Sequence, residues 1–209
     1  KLSKNINNID ISNYSKWIGW CKKKKKKFDI ENENIETFDD FVNTPTLMKI
    51  LCDKSKSNDV FVPGSSGGCV EHFFLRFNLK EGQRVINSAG LGGMGSGLPS
   101  SIGVSIASGT RIISIIGDGG LQNNIQELEL LSRYNLNIKL FIINNNGYNS
   151  IRVSQKTHFN NQVLYDDNNG LTLPNLKKIA SAYAIKYKKS QNDTELLNSI
   201  DETLETEGP

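Results

Sequence analysis

With 209 residues, 37% of them hydrophobic, the chain can bury the core of one ordinary α/β domain and carry an additional segment. Its 25 basic and 22 acidic residues give a net charge of +3, which is too balanced to indicate a nucleic-acid partner. The three cysteines show no CxxC spacing and no apolar run reaches the roughly 20 residues of a membrane span, so composition disfavours a disulfide framework, a zinc site or a membrane protein and favours the cytoplasm.

Residues 1–44 differ in composition from the rest, because Asn, Lys and Ile dominate them. Trp17, Trp20 and Phe28 recur at helical spacing and predict one short helix. The run Lys22–Lys27 is interpreted as a solvated helix face, with an anionic surface or nucleic acid as the alternative ligand. Since the chain begins at Lys1, we expect a fragment in which residues 1–44 are a linker or the tail of a preceding domain.

In residues 45–209, strands and helices are predicted to alternate. The predicted strands span residues 59–64, 83–88, 111–119, 137–145 and 185–189. The predicted helices span residues 44–54, 67–77, 98–108, 123–134 and 193–205. Another helix is predicted to begin near Pro174 within residues 171–184, and residues 149–172 are predicted to form a long polar loop. The central strands are continuously apolar, which is typical of strands that are buried on both faces. The predicted fold class is therefore α/β, a doubly wound and mostly parallel sheet with helices on both faces.

Polar side chains follow two of these strands, one helix apart. Asp118 follows the apolar run Ile112–Ile116, and Asn145 follows Leu140–Ile143. If the strands are neighbours, their carboxyl ends lie roughly 5 Å apart, at the edge of a parallel sheet where ligands bind. A carboxylate and an amide oxygen suit magnesium or calcium rather than zinc.

Glycines follow the carboxylate directly. Gly119 and Gly120 open the next predicted helix, where backbone N–H groups can approach a phosphate without hindrance from a side chain. Asp118 alone is also typical of a helix N-cap, and "NNNGY" alone is typical of a turn. The pair at one crossover spacing, with glycine after both, predicts a site for a magnesium ion that carries a diphosphate.

At this point the motifs resemble a known family. "GDG", 24 further residues and then "NN" resemble the signature of thiamine-diphosphate-dependent enzymes. "NSAGLGGMGSGLPSSIG" and "NNIQELELLSRYNLNIK" are similar to the acetolactate synthase-like branch, and "VPGSSGG" resembles the segment that approaches the diphosphate in relatives associated with bacterial surface polysaccharides. The resemblance covers about residues 45–190, which correspond to the C-terminal, pyrophosphate-binding domain of such enzymes.

The resemblance implies roles for individual residues. Asp118 and Asn145 would bind Mg²⁺ through their side chains, and Gly147 would bind it through its backbone carbonyl. Further contacts with thiamine diphosphate would come from Ser65, Ser66, Gly92, Met94, Gly117, Gly119, Gly120, Tyr148, Asn149 and Ser150. Met94 would support the V-shaped conformation of the cofactor, although ordinary core packing is the alternative for this residue taken alone.

The resemblance also implies an incomplete site. In this family the activating glutamate belongs to an aminopyrimidine-binding domain, usually on the partner subunit of a homodimer or tetramer. No segment of this chain matches that domain, so we expect no catalytic residue in this chain. We expect 2-oxo acids to be decarboxylated or joined only by the complete enzyme. His72 is interpreted as a helix-surface or core residue, whereas Arg152 and His158 could meet a substrate carboxylate or be solvated.

Other functions remain open. Gly90-x-Gly92-x-x-Gly95, with Asp118 further along, fits a dinucleotide-binding oxidoreductase, although Pro99 in the first turns of the helix and the unexplained "NNNGY" disfavour it. A thiamine-diphosphate-dependent simple decarboxylase and a regulatory or scaffolding subunit without turnover are further alternatives.

Overall fold

The computed structural model describes residues 14–28, 40–64, 67–88, 90–159 and 161–209. The chain divides into two compact units, Lys1–Asn34 and Ile35–Pro209. In the first unit, helix α1 spans Ser15–Lys27, which confirms the short helix predicted from the aromatic spacing. None of the helices in the described residues is long and apolar enough to span a lipid bilayer.

The second unit is built on a four-stranded parallel sheet with the strand order β2-β1-β3-β4. Its strands are β1 Val60–Pro63, β2 Arg84–Val85, β3 Ile112–Gly117 and β4 Ile138–Ile143. Strands β3 and β4 pair along their full length, with Gly117 opposite Ile143, so that their carboxyl ends are level. The predicted α/β class is confirmed.

Helices cover both faces of the sheet because successive side chains of β3 point to opposite faces. Ile113 and Ile115 belong to one apolar cluster, whereas Ile112 and Ile116 belong to the other. The first cluster is covered by α2 Thr44–Lys54, α3 Gly68–Arg76 and α9 Asp193–Glu205. The second is covered by α4 Gly97–Ser108, α5 Asp118–Gln122, α6 Leu128–Arg133 and α8 Leu176–Ala182.

A buried ion pair joins the amino-terminal ends of β1 and β3. Arg111 donates from Nε to Oδ1 of Asp59 at 2.9 Å and from Nη2 to Oδ2 at 2.6 Å. Its Nη1 donates to the carbonyl of Leu204 at 2.8 Å, at the end of α9. The guanidinium group therefore fixes two central strands and the C-terminal helix to one another, at the end of the sheet opposite the predicted site.

Three predicted elements differ from the structure. The polar segment after β4 contains helix α7, Asn149–His158, instead of a continuous loop. The predicted helix 123–134 begins as a 3₁₀ turn. Asn124 lies outside helical geometry, because its side chain donates to the carbonyl of Gly95 at 2.9 Å. Residues 185–189 form no strand; Lys188 instead pairs with Glu202 of α9, and Lys186 lies close to the buried Lys139.

The edge of the sheet beside β4 is consequently open. Among the described residues, β4 pairs only with β3, and a cleft of about 1120 Å³ runs beside it, lined by residues of α8, α9 and the segment 185–191. Lys139 lies at the amino-terminal end of this β4-edge cleft, 2% exposed, and donates to the carbonyls of Thr206 and Gly208 at 2.5 Å each. The C-terminal residues are thereby fixed to β4.

Candidate active site

The topology of the sheet creates a crevice between β1 and β3. From β1 the chain passes through α3 to β2 on one side, and it then passes through α4 to β3 on the other side of β1. The loops after β1 and β3 therefore diverge, and ligands of open α/β sheets bind at such points. A cleft of about 120 Å³ lies there, and we call it the β1/β3 cleft.

Most of the residues predicted from the sequence line this one cleft. They are Met94, Gly117, Asp118, Gly119, Gly120, Asn145, Gly147, Tyr148, Asn149 and Ser150. Gly92 is not among the described residues that line it, although Met94 is. Ser65 and Ser66 lie outside the described residues.

Asp118 joins the end of β3 to the loop after β4. Its side chain is 3% exposed, and its carboxylate accepts hydrogen bonds from the N–H of Gly119 at 2.7 Å and from the N–H of Gly147 at 3.1 Å. Burial raises the pKa of Asp118, and these backbone amides counteract part of that rise. A cation at the carboxylate would stabilise its charged form in the same sense as the amides do.

The loop after β4 turns back sharply on itself. Asn146 and Gly147 have φ angles of 58° and 145°, values that are rare for residues other than glycine or asparagine. A Cβ atom at Gly147 would collide with the carbonyl oxygen of Tyr165, and that same oxygen accepts a hydrogen bond from the N–H of Tyr148 at 2.9 Å. The turn brings Asn145 and Gly147 to the cleft that Asp118 also lines.

The glycine-rich stretch is fixed at both of its ends. Asn87 donates from its side chain to the carbonyls of Pro63 and Gly64 at 2.9 and 3.3 Å, which ties the start of the stretch to the end of β1. Asn124 donates to the carbonyl of Gly95. Met94, between these two anchors, is 42% exposed at the cleft, so core packing does not explain its presence.

The residues present fit a magnesium ion that carries a diphosphate. The cleft offers the carboxylate of Asp118, the carboxamides of Asn145 and Asn149, and backbone carbonyls, which are hard oxygen donors. Mg²⁺ commonly completes its coordination shell with water or phosphate oxygens, so this small set of protein donors suits it. Nothing lies within 4 Å of the position that a Cβ would take at Gly120, which leaves room for such a group.

Helix α5 is shorter than the sequence suggested. It spans only Asp118–Gln122, so an extended helix dipole contributes little at its N-terminus. The N–H of Gly119 is already bonded to Asp118, and the ring of Tyr148 lies directly against Gly119. Gly120 is therefore the glycine whose backbone is the more open to a phosphate.

Several residues at the cleft were missed from the sequence. The main ones lie after β1, where Gly64, Gly67 and Cys69 line the β1/β3 cleft. Gly67 has a φ angle of 70°, and a Cβ there would lie 2.9 Å from Oγ of Ser150, so the loop after β1 closely approaches the start of α7. Burial raises the pKa of the Cys69 thiol to about 12, which keeps it protonated. The glycines of "VPGSSGG" were the available signal in the sequence, whereas the strand order that places this loop at the cleft is seen only in the structure.

The other polar side chains discussed from the sequence have different surroundings. His72 is half-buried on α3 and lines the β4-edge cleft instead of the β1/β3 cleft, and burial lowers its pKa. His158 is exposed at the end of α7. Arg152 is directed back toward the loop after β4 and donates to the carbonyl of Asn145 at 3.2 Å.

Comparison with known proteins identifies relatives along the whole chain. The chain is 27% identical over 215 aligned residues to the acetolactate synthase large subunit of Cyanidium caldarium, covering 100% of this chain and 34% of that protein. It is 28% identical to the acetolactate synthase large subunit of Lactococcus lactis, covering 90% of this chain and 32% of that protein. The chain thus spans about a third of the length of these curated relatives.

The fold has a counterpart among solved structures. A thiamine diphosphate-dependent 4-hydroxybenzoylformate decarboxylase of Rhodococcus jostii superposes with a TM-score of 0.73 at 20% identity, covering 85% of this chain and 33% of that one. At this identity the superposition shows a shared fold.

The family itself is shown by a match to the sequence model for the thiamine pyrophosphate enzyme, C-terminal TPP binding domain, over residues 66–209. The match confirms the family that the "GDG…NN" spacing predicted, and with it thiamine diphosphate as the family's cofactor, and it decides against the dinucleotide-binding alternative. The chain belongs to the thiamine pyrophosphate enzymes and corresponds to their C-terminal, cofactor-binding domain.

Proposed function

We propose that this chain supplies the diphosphate-binding half of the active site of an acetolactate synthase-like enzyme that acts on 2-oxo acids. One observation carries the proposal: Asp118 and the loop after β4 come from paired strands, line one cleft and are joined by the hydrogen bond from Gly147 to Asp118. The names of the relatives support the acetolactate synthase-like branch and favour carboligation over simple decarboxylation.

Within this proposal, three residues hold the metal. The carboxylate of Asp118, the amide oxygen of Asn145 and the backbone carbonyl of Gly147 bind Mg²⁺. The diphosphate is contacted by the remaining residues of the "GDGG" stretch and of "VPGSSGG", namely Gly117, Gly119, Gly120, Ser65 and Ser66. When bound, thiamine diphosphate supplies the electron sink that decarboxylation of a 2-oxo acid requires.

The rest of the cofactor would extend beyond these residues. Met94 and the carbonyl of Gly92 orient it from the glycine-rich stretch, and Tyr148, Asn149 and Ser150 line it beyond the metal. The role of the chain is to bind and orient the cofactor and to exclude water from the diphosphate.

We infer that a second domain completes the site. The β1/β3 cleft of about 120 Å³ is smaller than the roughly 300–1,000 Å³ of pockets that enclose a whole ligand. An aminopyrimidine-binding domain, on a partner subunit of a homodimer or tetramer, would enclose the remainder and contribute the activating glutamate. This chain by itself would then bind the cofactor without turning over substrate.

Calorimetry with thiamine diphosphate tests the proposal. Binding to this chain should require Mg²⁺, and Asp118→Ala should abolish it because the charged metal ligand is lost. Asp201→Ala is the matched control, since this exposed carboxylate pairs with Lys54 and neither residue lines the β1/β3 cleft. Equal affinity of Asp118→Ala and the wild type would refute the metal-ligand assignment.

Product analysis tests the branch. The longer polypeptide that contains an aminopyrimidine-binding domain should convert pyruvate to a carboligation product. Release of the aldehyde alone would assign the enzyme to the simple decarboxylases.

A further inference from the structure

We propose that Arg152 and the ring of Tyr165 form a positioning pair that holds the loop 145–148 in its metal-binding conformation before cofactor binds. The inference rests on the proposed function, because the loop matters only if Asn145 and Gly147 bind the metal. It resolves the open role of Arg152, which acts through the loop and does not bind a substrate carboxylate.

The guanidinium group of Arg152 connects two segments. Its Nη2 donates to the carbonyl of Asn145 at 3.2 Å, and its Cζ lies 5.5 Å from the centre of the Tyr165 ring. The same residue donates its backbone N–H to the carbonyl of Tyr148 at 2.9 Å, in the first turn of α7. A cationic planar group over an aromatic face is attracted to it, most strongly where water is excluded.

Tyr165 is a rigid partner for this contact. It is 7% exposed, and its hydroxyl donates to the side chain of Gln162 at 2.7 Å. Gln155 of α7 bonds to both backbone groups of Val163, at 2.9 and 3.1 Å, so the segment before Tyr165 is fixed to the same helix that carries Arg152. The backbone of Tyr165 in turn accepts the hydrogen bond of Tyr148.

These contacts fix the loop from both sides. Gly147 is bound through its N–H to Asp118, and Asn145 is bound through its carbonyl to Arg152, with the left-handed Asn146 between them. Rotation of the peptide between Asn145 and Asn146 would break the bond to Arg152 and redirect both proposed ligands. Holding ligands in place before binding reduces the ordering cost of binding, which is the physical advantage of such a pair.

The direction of Arg152 also decides between the two roles considered from the sequence. Its Nη2 is occupied by a backbone carbonyl, and its buried Nε has no hydrogen-bond partner among the described residues. To bind a substrate through Nη2, Arg152 would have to give up its bond to the carbonyl of Asn145.

Amide hydrogen exchange on the cofactor-free chain provides the direct test. In Arg152→Met, amides of residues 144–149 should exchange about tenfold faster, while the rest of the domain should exchange at the wild-type rate. Arg152→Lys, which keeps a charged donor but not the planar group, should restore part of the protection. Arg133→Met is the matched control, because Arg133 lies over the Tyr134 ring at 5.8 Å on α6, away from the β1/β3 cleft.

Cofactor binding provides the second readout. In the presence of Mg²⁺, Arg152→Met should raise the dissociation constant for thiamine diphosphate about tenfold, which is the effect of losing one hydrogen bond from a charged donor. Tyr165→Leu should raise the dissociation constant by a similar factor. In the double variant the dissociation constant should rise by less than the product of the two single factors, since the pair acts as one unit.

Unchanged exchange of residues 144–149 in both Arg152 variants would overturn the positioning role. Faster exchange with unchanged cofactor affinity would overturn it equally. If the wild type itself binds no cofactor, the proposed function fails, whereas the exchange data still decide whether Arg152 orders the loop. A melting temperature within the wild-type range confirms that a variant is folded.

Discussion

Gly147 lies where two backbone segments approach each other too closely for a side chain. Its φ angle is 145°, and the carbonyl oxygen of Tyr165 occupies the space that a Cβ would need. From the sequence, "NNNGY" could be identified as a turn with a ligand role, but the reason for the glycine could not. The reason is a contact with a residue beyond α7, which local pattern does not encode.

Substitution of this glycine should be costly. Gly147→Ala should lower the free energy of unfolding by about 1–3 kcal/mol, because both the backbone angle and the contact with Tyr165 disfavour a side chain. It should also weaken Mg²⁺-dependent cofactor binding. Urea unfolding measures the first effect and calorimetry the second.

Gly103→Ala is the matched control for this comparison. Gly103 lies within helix α4 and has nothing within 4 Å of its Cβ position, so alanine there should leave stability unchanged or raise it by up to about 1 kcal/mol. A Gly147→Ala variant as stable as Gly103→Ala would contradict the close approach at Tyr165.

At the scale of elements, the buried parts of the sheet were the most predictable. The apolar run Ile112–Ile116 has both faces buried, and its side chains divide between the two apolar clusters as a central parallel strand requires. The apolar runs also placed Asp118 and Asn145 at the ends of two strands, because local hydrophobicity is strong in these segments. That the two strands are neighbours was a condition of the prediction, and the structure supplies it.

The elements that were missed lack such a signal. Helix α7 has no buried residue, so no apolar stripe distinguishes it from a polar loop. The run 185–189 alternates Ile185 and Tyr187 with lysines, as a half-buried strand does, yet one lysine pairs with α9 and another lies near Lys139. Repulsion between like charges across a strand pair is not visible in the hydrophobic pattern.

The buried Arg111–Asp59 pair should contribute strongly to stability. Arg111→Met should lower the free energy of unfolding by about 3–5 kcal/mol, because it leaves the buried Asp59 carboxylate without its ion-pair partner. Lys54→Met, which removes the exposed pair with Asp201, should cost at most about 1 kcal/mol. Chemical denaturation compares them, and similar losses in the two variants would contradict the difference in burial.

Lys139 should make stability depend on pH. Burial, followed by the charges of Arg111 and Lys186, lowers its pKa from 10.5 to about 8. Between these two values the unfolded chain binds more protons than the folded chain, so the contribution of Lys139 to the free energy of unfolding rises with pH. Below the pKa of the folded state, Lys139 is charged in both states, so its burial lowers the free energy of unfolding by an amount that does not change with pH.

A comparison with Lys139→Met isolates this effect from other titrations. From about pH 8 to about pH 10, the unfolding free energy of the wild type minus that of the variant should increase by about 1–3 kcal/mol. Urea unfolding across this range measures the difference. A difference that is constant with pH would show that Lys139 titrates normally in the folded domain.

At the scale of the whole molecule, the second unit contains the elements of a folding domain. Within the described residues, neither apolar cluster draws a member from before Val42, and the family match begins at residue 66. The proposed boundary between residues 44 and 45 therefore stays a prediction that truncation can test. The proposal that a partner domain completes the site rests on the resemblance rather than on a pattern in these residues.

A chain of residues 35–209 should unfold cooperatively with the same midpoint as the whole chain and should keep its affinity for thiamine diphosphate. Thermal unfolding and calorimetry check both expectations. A chain that lacks residues 193–209 is the control, because α9 contributes Leu196, Ile200 and Leu204 to the first apolar cluster, and it should lose cooperative unfolding. Loss of the unfolding transition in the chain of residues 35–209 would show that residues 1–34 belong to the folding unit.

Because β4 has one unpaired edge among the residues that the structure describes, copies of the domain could pair there in concentrated solution. An open strand edge is a template for adding a strand from another molecule, and lysines beside such an edge oppose that addition by mutual repulsion. Here Lys186, Lys188 and Lys189 line the β4-edge cleft. Salt shortens the range of their repulsion to about 8 Å at physiological ionic strength, so it weakens this protection against edge-to-edge pairing.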